Sequence, residues 1–493
     1  MTNILIFILS FYFLLFSTIG YGIFFNNLCF GKDKNFYERS IFIGFYGLFS
    51  ITFISLITSI FLAHTFIHNL FLHFLGILLL FFTKVDNKFK YLKFITLISI
   101  TVFSALLISK THDDFSYYHL PFTKYLTEHN IIFGMGNLNH GYNYVSSLFF
   151  LNSTFYLPFI EYYSFHFSLI FFLIFFNFFL IKEIIDNEHI DVVKFLYIFT
   201  FIFFNLSFNR LAEYGTDKAG QLLIVILIIK LFHYIYYDKE NTFKNILFLT
   251  PLLAFCISFK TYFLPYILLG LLIILPNLKN SKLLKELFYS KSFIFFLCLL
   301  LLNFFHHFVS TGCVVSLLPI TCAGEALSWA RDLEDMSGLS IWLEQWAKAG
   351  AGPNFQVNNV SEYIKNFNWV SNWIDKYFLI KFLDQIGLLS ATFLITFFLF
   401  KKINLKKNFY LDKNYSYFYL IIVIIFFIWF TKHPTLRYGG YSAMFLLVSI
   451  PITFFFARIE NKDGFIKKLK ILISTIVILF NLKNFNRINK KKI

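Results

Sequence analysis

The sequence predicts an all-α integral membrane protein with about 14 transmembrane helices and two long outer-face loops. Composition is the first reason. Of 493 residues, 58% are hydrophobic and only 14% charged, against roughly 25% charged in an ordinary soluble domain. Mean hydropathy is +0.68, too high for a globule that must face water. The same balance excludes disordered, collagen-like and disulfide-scaffold classes. Run length is the second reason. Apolar stretches of spanning length begin near Asn3, Ile41, Ile67, Tyr91, Ile160, Val192, Ala219, Ile246, Thr261, Ser292, Phe378, Tyr415, Tyr438 and Ile466. Lipid offers the backbone no hydrogen-bond partners, so such runs read as helices. The runs after Ile246 and Thr261 are short, and Lys260 between them marks a tight turn.

Charge asymmetry is the third reason, and it orients the chain. One set of alternate loops (26–41, 84–93, 182–194, 238–244, 277–291, 401–413 and 458–470) holds 25 Lys and Arg, and the other holds 11 in a longer total length. The richer set reads as cytoplasmic. Both termini then lie outside, although the tail carrying Arg487, Lys490, Lys491 and Lys492 is basic. The net charge of +16 is accounted for by these loops, and no basic stripe with base-stacking aromatics points to nucleic acid. The chain divides into N-terminal helices (1–109), an outer-face loop with an acidic motif (110–159), central helices (160–310), a Trp-rich outer-face loop (311–377) and C-terminal helices (378–493).

The second loop differs in kind from the rest. Residues 311–377 hold five of the six tryptophans but two of the 75 phenylalanines, and they are net negative in a positive chain. That shift marks a folded extramembrane segment. Ser328 to Lys348 reads as a helix, with Trp342 and Trp346 one turn apart, and Ser361 reads as the cap of a second short helix. Cys313 and Cys322 stand nine residues apart on a face expected to be oxidising, which predicts a disulfide. The remaining cysteines fall in a cytoplasmic loop or in apolar runs.

The first loop carries the sharpest motif. Asp113 and Asp114 follow directly on an apolar run, where carboxylates are costly unless solvated, paired or ligating. On a helical turn Asp114 shares a face with Tyr118, and Asp113 with Tyr117. His119 is next to that face. Asp114 with His119 or His112 could ligate a divalent cation such as Mg or Mn, or one carboxylate could serve as general base. Pro121 then suits the first turn of an amphipathic helix over Phe122 to His129. The stretch Gly134 to Gly141, which includes His140, is polar and flexible enough to line a pocket. On the same face lie Glu213 and Asp217 as second carboxylates, Lys260 as a point charge for a lipid phosphate, and the compact turn Lys432-His433-Pro434-Thr435-Leu436-Arg437. Arg437 is the expected phosphate ligand, because guanidinium grips phosphate bidentately.

The run ending in Asp113-Asp114, followed by Tyr117-Tyr118-His119-Leu120-Pro121 and an amphipathic helix, resembles the first outer loop of GT-C glycosyltransferases. The stretch from Asp114 to Asn143 also resembles a family of polytopic bacterial membrane proteins without assigned activity, as do Ser258-Phe259-Lys260, Cys313 to Pro319 and Pro434 to Gly439. The GT-C resemblance implies a sugar moved from a polyprenyl-phosphate-linked donor to a lipid or glycan acceptor at the outer face of a bacterial inner membrane. It implies Asp114 or Asp113 as base or metal ligand, with His119 beside them. Arg437, Lys260, His433, Tyr118, His140 and Asp217 are then expected at the substrate, and the tryptophans as lid or sugar platform. GT-C enzymes carry one spanning run before this motif where the present chain has four. An O-antigen polymerase or ligase, and a lipid or polysaccharide transporter, stay open as alternatives.

Overall fold

The computed structural model describes residues 2–31, 40–85, 87–108, 113–187, 190–207, 216–237, 242–277, 280–352, 355–400, 413–455 and 462–490. His112 and Glu213 lie outside them. The described residues form helices and turns with no strand, and two isolated bridges join Leu157 to Glu161 and Cys313 to Cys322. Each of the fourteen apolar runs is helical. Among the described residues, seven helices are long and apolar enough to cross a membrane, and shorter apolar helices accompany them, among them Phe66–Phe82, Val192–Ser207 and Thr261–Gly270.

Burial ranks these helices. The most apolar window of Tyr162–Asp186 is 89% buried inside the bundle and that of Val370–Phe400 only 22%, so the first is central and the second peripheral. A helix apolar all round belongs in the interior. Phe171, Phe172, Phe175, Phe176 and Phe179 of the central helix are all buried. They meet neighbours edge-on, as Phe172 meets Phe259 at 5.6 Å and Phe171 meets Phe11 at 5.3 Å, the geometry the ring quadrupole favours.

The two ends of the bundle can be told apart by their contacts. At one end Lys182 donates to Ser40, Lys468 to the Leu399 carbonyl, and Phe465 packs on Phe195 and Phe400. At the other end Asn481 donates to the Thr101 carbonyl and Lys483 to that of Leu206. The last helix, Lys462–Asn489, therefore runs the length of the bundle, about 42 Å at 1.5 Å per residue. Its basic end finishes beside Leu206, the end that also carries residues 113–166, 260 and 311–377.

Helix starts in the Trp-rich loop differ from the sequence expectation. The first helix is Leu333–Lys348, because Asp332 caps it by accepting from the Glu334 amide. The second is Val360–Ile364, capped by Asn359 through the Glu362 amide, not by Ser361. In the second case the Asn359 amide oxygen, and not the serine two positions on, takes the orphan N–H of the first turn. Cys313 and Cys322 form a disulfide, which closes the loop where it leaves the long helix Lys291–Thr311.

Candidate functional site

Four charged side chains from four separate segments meet at that end. Asp217 sits in the first turn of the helix Thr216–Tyr237, where the helix dipole favours an anion. Its Oδ1 takes the Lys260 ammonium. Its Oδ2 accepts from Arg437 Nε at 3.0 Å. The same guanidinium gives Nη2 to Asp114 Oδ2 at 3.2 Å. Two cations and two carboxylates thus alternate in a neutral chain, Lys260–Asp217–Arg437–Asp114. Lys260 is the most enclosed, with 11% of its side chain exposed, while Arg437 retains 30%.

Local structure explains how each residue arrives. Residues Phe115–His119 form a π-helical turn that runs into the helix Leu120–Glu128, with Pro121 in its first turn. The wide turn sends Asp114, Tyr118 and His119 inwards. Asp113 and Tyr117 are exposed, and Asp113 makes no ion pair among the described residues. Gly141 permits the following loop to lie against this turn, since a Cβ there would stand 2.5 Å from that of Tyr118. Lys260 is extended, between the helix Thr250–Phe259 and the 3-10 helix Thr261–Gly270.

The turn carrying Arg437 is held by aromatic side chains. Trp373 Nε1 donates to the Pro434 carbonyl and Trp429 Nε1 to that of Thr435, both at 2.8 Å. The Leu436 amide donates to the Tyr377 hydroxyl at 2.7 Å, and Tyr266 donates to the Gly439 carbonyl at 2.6 Å. Gly439 has φ +117°, which a Cβ would strain. A turn fixed at this many points holds its guanidinium ready and loses little entropy on engaging a ligand.

Rings surround the charges. Arg437 lies over Trp346 and Tyr438, 5.7 and 5.4 Å from their centroids, and Lys260 lies over Tyr438 at 5.1 Å. Tyr438 stacks on Tyr262 at 4.0 Å. Tyr118 packs between His119 and Tyr144. Burial opposes charge on Arg437, but Asp217, Tyr438, Tyr118 and Asp114 outweigh it and hold the guanidinium above its usual range. Burial pulls Lys260 down, with Asp217 opposing. Burial pushes the Tyr438 hydroxyl up to about 12, against Arg437.

The other expected site residues lie around this core. His119 is buried, edge-on to Tyr118 at 4.4 Å and within electrostatic range of Asp217. His140 is an outer-rim residue, with Tyr144 and Trp342 each 5.9 Å away. His433 does not join the quartet. It faces Tyr262 on the far side of the tyrosine stack, and burial, with Lys432 and Lys348, lowers its pKa to about 3. A neutral imidazole brings no charge to a phosphate. Lys432 turns towards Glu344, so the expected cationic turn splits into two. The tryptophans split also. Trp369 and Trp373 pack in a core with Trp429, Trp346 covers Arg437, and Trp342 stays 40% exposed. Among the described residues no group of three or more His, Cys, Asp or Glu side chains could hold a metal ion. Arg437 already stands between the two carboxylates.

Sequence reasoning missed Tyr144, Tyr262, Tyr377 and Tyr438, while Trp346 is the tryptophan of the expected platform that reaches Arg437. One signal was present: each quartet residue has a tyrosine within four positions, namely Tyr118, Tyr214, Tyr262 and Tyr438. A family model described as a domain of unknown function (DUF8201) matches residues 4–444. No curated protein and no solved structure matches the chain.

Proposed function

The chain belongs to the DUF8201 family, and from the site geometry we propose that it is a glycosyltransferase of a bacterial inner membrane, moving a sugar from a polyprenyl-phosphate donor to a lipid or polysaccharide acceptor. The supporting observation is the Lys260–Asp217–Arg437–Asp114 chain, which puts a carboxylate base and two phosphate-seeking cations within one site. In this reading the donor phosphate competes for Arg437 and releases Asp114. Asp114 takes the proton of the acceptor hydroxyl as its oxygen bonds to the sugar C1. The bond from C1 to the phosphate oxygen breaks, and Arg437 and Lys260 stabilise the departing polyprenyl phosphate. Asp217 is a positioning residue that aligns both cations. Positive charge comes from side chains, so no step passes through a divalent cation.

The reading takes all fourteen runs as spans, with the site end outside. In a variant lacking Cys29, Cys256 and Cys298, a cysteine at Ser337 should react with a membrane-impermeant thiol reagent in intact cells. One at Asn280 should react only after permeabilisation. The reverse pattern puts the acidic motif in the cytoplasm and ends the reading. The function itself is tested by deleting the gene, comparing surface glycans by mass spectrometry, and complementing with active-site variants.

One observation favours the transporter reading. Lys230 pairs with Glu183 at 2.6 Å inside the bundle, and His233 stands 3.4 Å from the same carboxylate. The group is buried near the end of the bundle that Lys182 marks, and buried ionisable groups of membrane proteins often mark ion paths. A transferase needs the pair only for packing, so replacing both together, Glu183→Leu with Lys230→Met, should preserve the fold and the glycan profile. A folded double variant with a null profile would favour transport.

A further inference from the structure

A cavity of about 260 Å³ adjoins the quartet, separated from it by the Tyr262–Tyr438 stack. Its two ends differ in chemistry. Leu264, Ile425, Ile428 and Trp429 form an apolar wall, and Ser340, Glu344, Lys432, His433 and Tyr262 form a polar end. Leu264 belongs to the apolar helix Thr261–Gly270, and Ile425 and Ile428 to Ser416–Lys432, so the wall continues the apolar side of the bundle.

Most charges at the polar end are spent. Glu344 binds Lys348 at 2.6 Å and Lys432 at 3.5 Å. Two buried polar atoms are not: the Tyr262 hydroxyl and His433 Nδ1 have no hydrogen-bond partner among the described residues. Their rings are 4.6 Å apart. An unsatisfied buried polar atom costs on the order of 1–3 kcal/mol, so two in one cavity call for a ligand that satisfies both. Burial keeps the imidazole neutral, so Nδ1 accepts in one tautomer and donates in the other. The phenol is a donor. A phosphate oxygen only accepts, so it would satisfy Nδ1 in one tautomer alone. A hydroxyl both donates and accepts, so it satisfies Tyr262 and either form of Nδ1.

We propose that this cavity binds a hydroxyl-bearing amphiphile, its hydroxyl held between Tyr262 and His433 Nδ1 and its apolar part along Leu264, Ile425 and Ile428. The transferase reading supplies one further consequence, that the bound compound is the acceptor. The proposal rests on that reading for this consequence alone.

The test needs binding, not turnover, so its outcome is separate from that of the glycan profile. Full-length protein in phosphatidylcholine nanodiscs is titrated with octyl β-glucoside below its micellar concentration, and intrinsic fluorescence is followed, to which Trp429 in the cavity wall contributes. A saturable change is expected. Tyr262→Phe should weaken it roughly two- to tenfold, the loss of one hydrogen bond, and Ile428→Phe, which keeps both polar groups but fills the wall, should abolish it. Thermal melting of each variant reports folding. Glucose alone saturating at the same concentration would assign the cavity to a free sugar and not a lipid-linked one. No saturation by either compound, or octyl phosphate binding tighter than octyl glucoside, overturns the proposal.

Discussion

Asp114→Asn is expected to abolish the glycan product of a complemented deletion strain, while Asp113→Asn restores it. The adjacent residues differ in direction. Asp114 accepts on Oδ2 from Arg437 and Asp113 is exposed with no ion pair among the described residues, because neighbours on a helical turn point about 100° apart. Asparagine keeps the size of the side chain but cannot accept a proton. Losing a general base lowers rate about a hundredfold to ten-thousandfold. The fold should survive, since Arg437 keeps its bond from Nε to Asp217 and its packing over Trp346 and Tyr438. Expression and melting temperature near wild type, with product lost, is the expected pair of results. Equal loss in both variants would point to the charge of the loop and not to a base, and equal restoration would leave Asp114 as a mere partner of Arg437.

The charged members of the site were legible in the sequence because membrane chemistry makes charges rare. A carboxylate or guanidinium beside an apolar run is costly, so Asp114, Asp217, Lys260 and Arg437 stood out, and the loop charge count put them on one face. Their connectivity was not legible. Asp217 and Arg437 are 220 positions apart, and nothing local says that one carboxylate will hold two cations. The π-turn at Phe115–His119 has no local signature either; an ordinary helical turn was expected there. The aromatic scaffold was misread in part for a physical reason. A tryptophan can stack on a sugar or fill a core, and composition does not separate the two. Trp373 and Trp429 instead spend their indole N–H groups on the carbonyls of the turn that carries Arg437. His433 was taken as one of a cationic cluster, and burial beside two lysines keeps it neutral.

Asp217→Asn is expected to damage stability as well as function, and in a way that Lys260→Met partly reverses. Each oxygen of Asp217 holds a different cation, Lys260 on Oδ1 and Arg437 on Oδ2. The pair with Lys260 is largely shielded, with side-chain exposures of 11% and 20%. Neutralising Asp217 leaves two like charges facing each other over Tyr438, with Asp114 alone to balance them. Stranding a buried charge costs about 3–5 kcal/mol, a large part of the roughly 5–15 kcal/mol that holds an ordinary domain. Adding Lys260→Met removes the surplus cation and keeps a chain of similar length over the Tyr438 ring, so the double variant should melt closer to wild type than Asp217→Asn alone. Product should not return, because Arg437 has lost the carboxylate on Nε that aims it. Lys260→Met by itself should be the mildest for stability, since Asp217 remains paired with Arg437. A thermal melting cycle of the four proteins measures this coupling. Additive effects, or an Asp217→Asn protein as stable as wild type, would mean that solvent already screens the quartet and that Asp217 does not organise it.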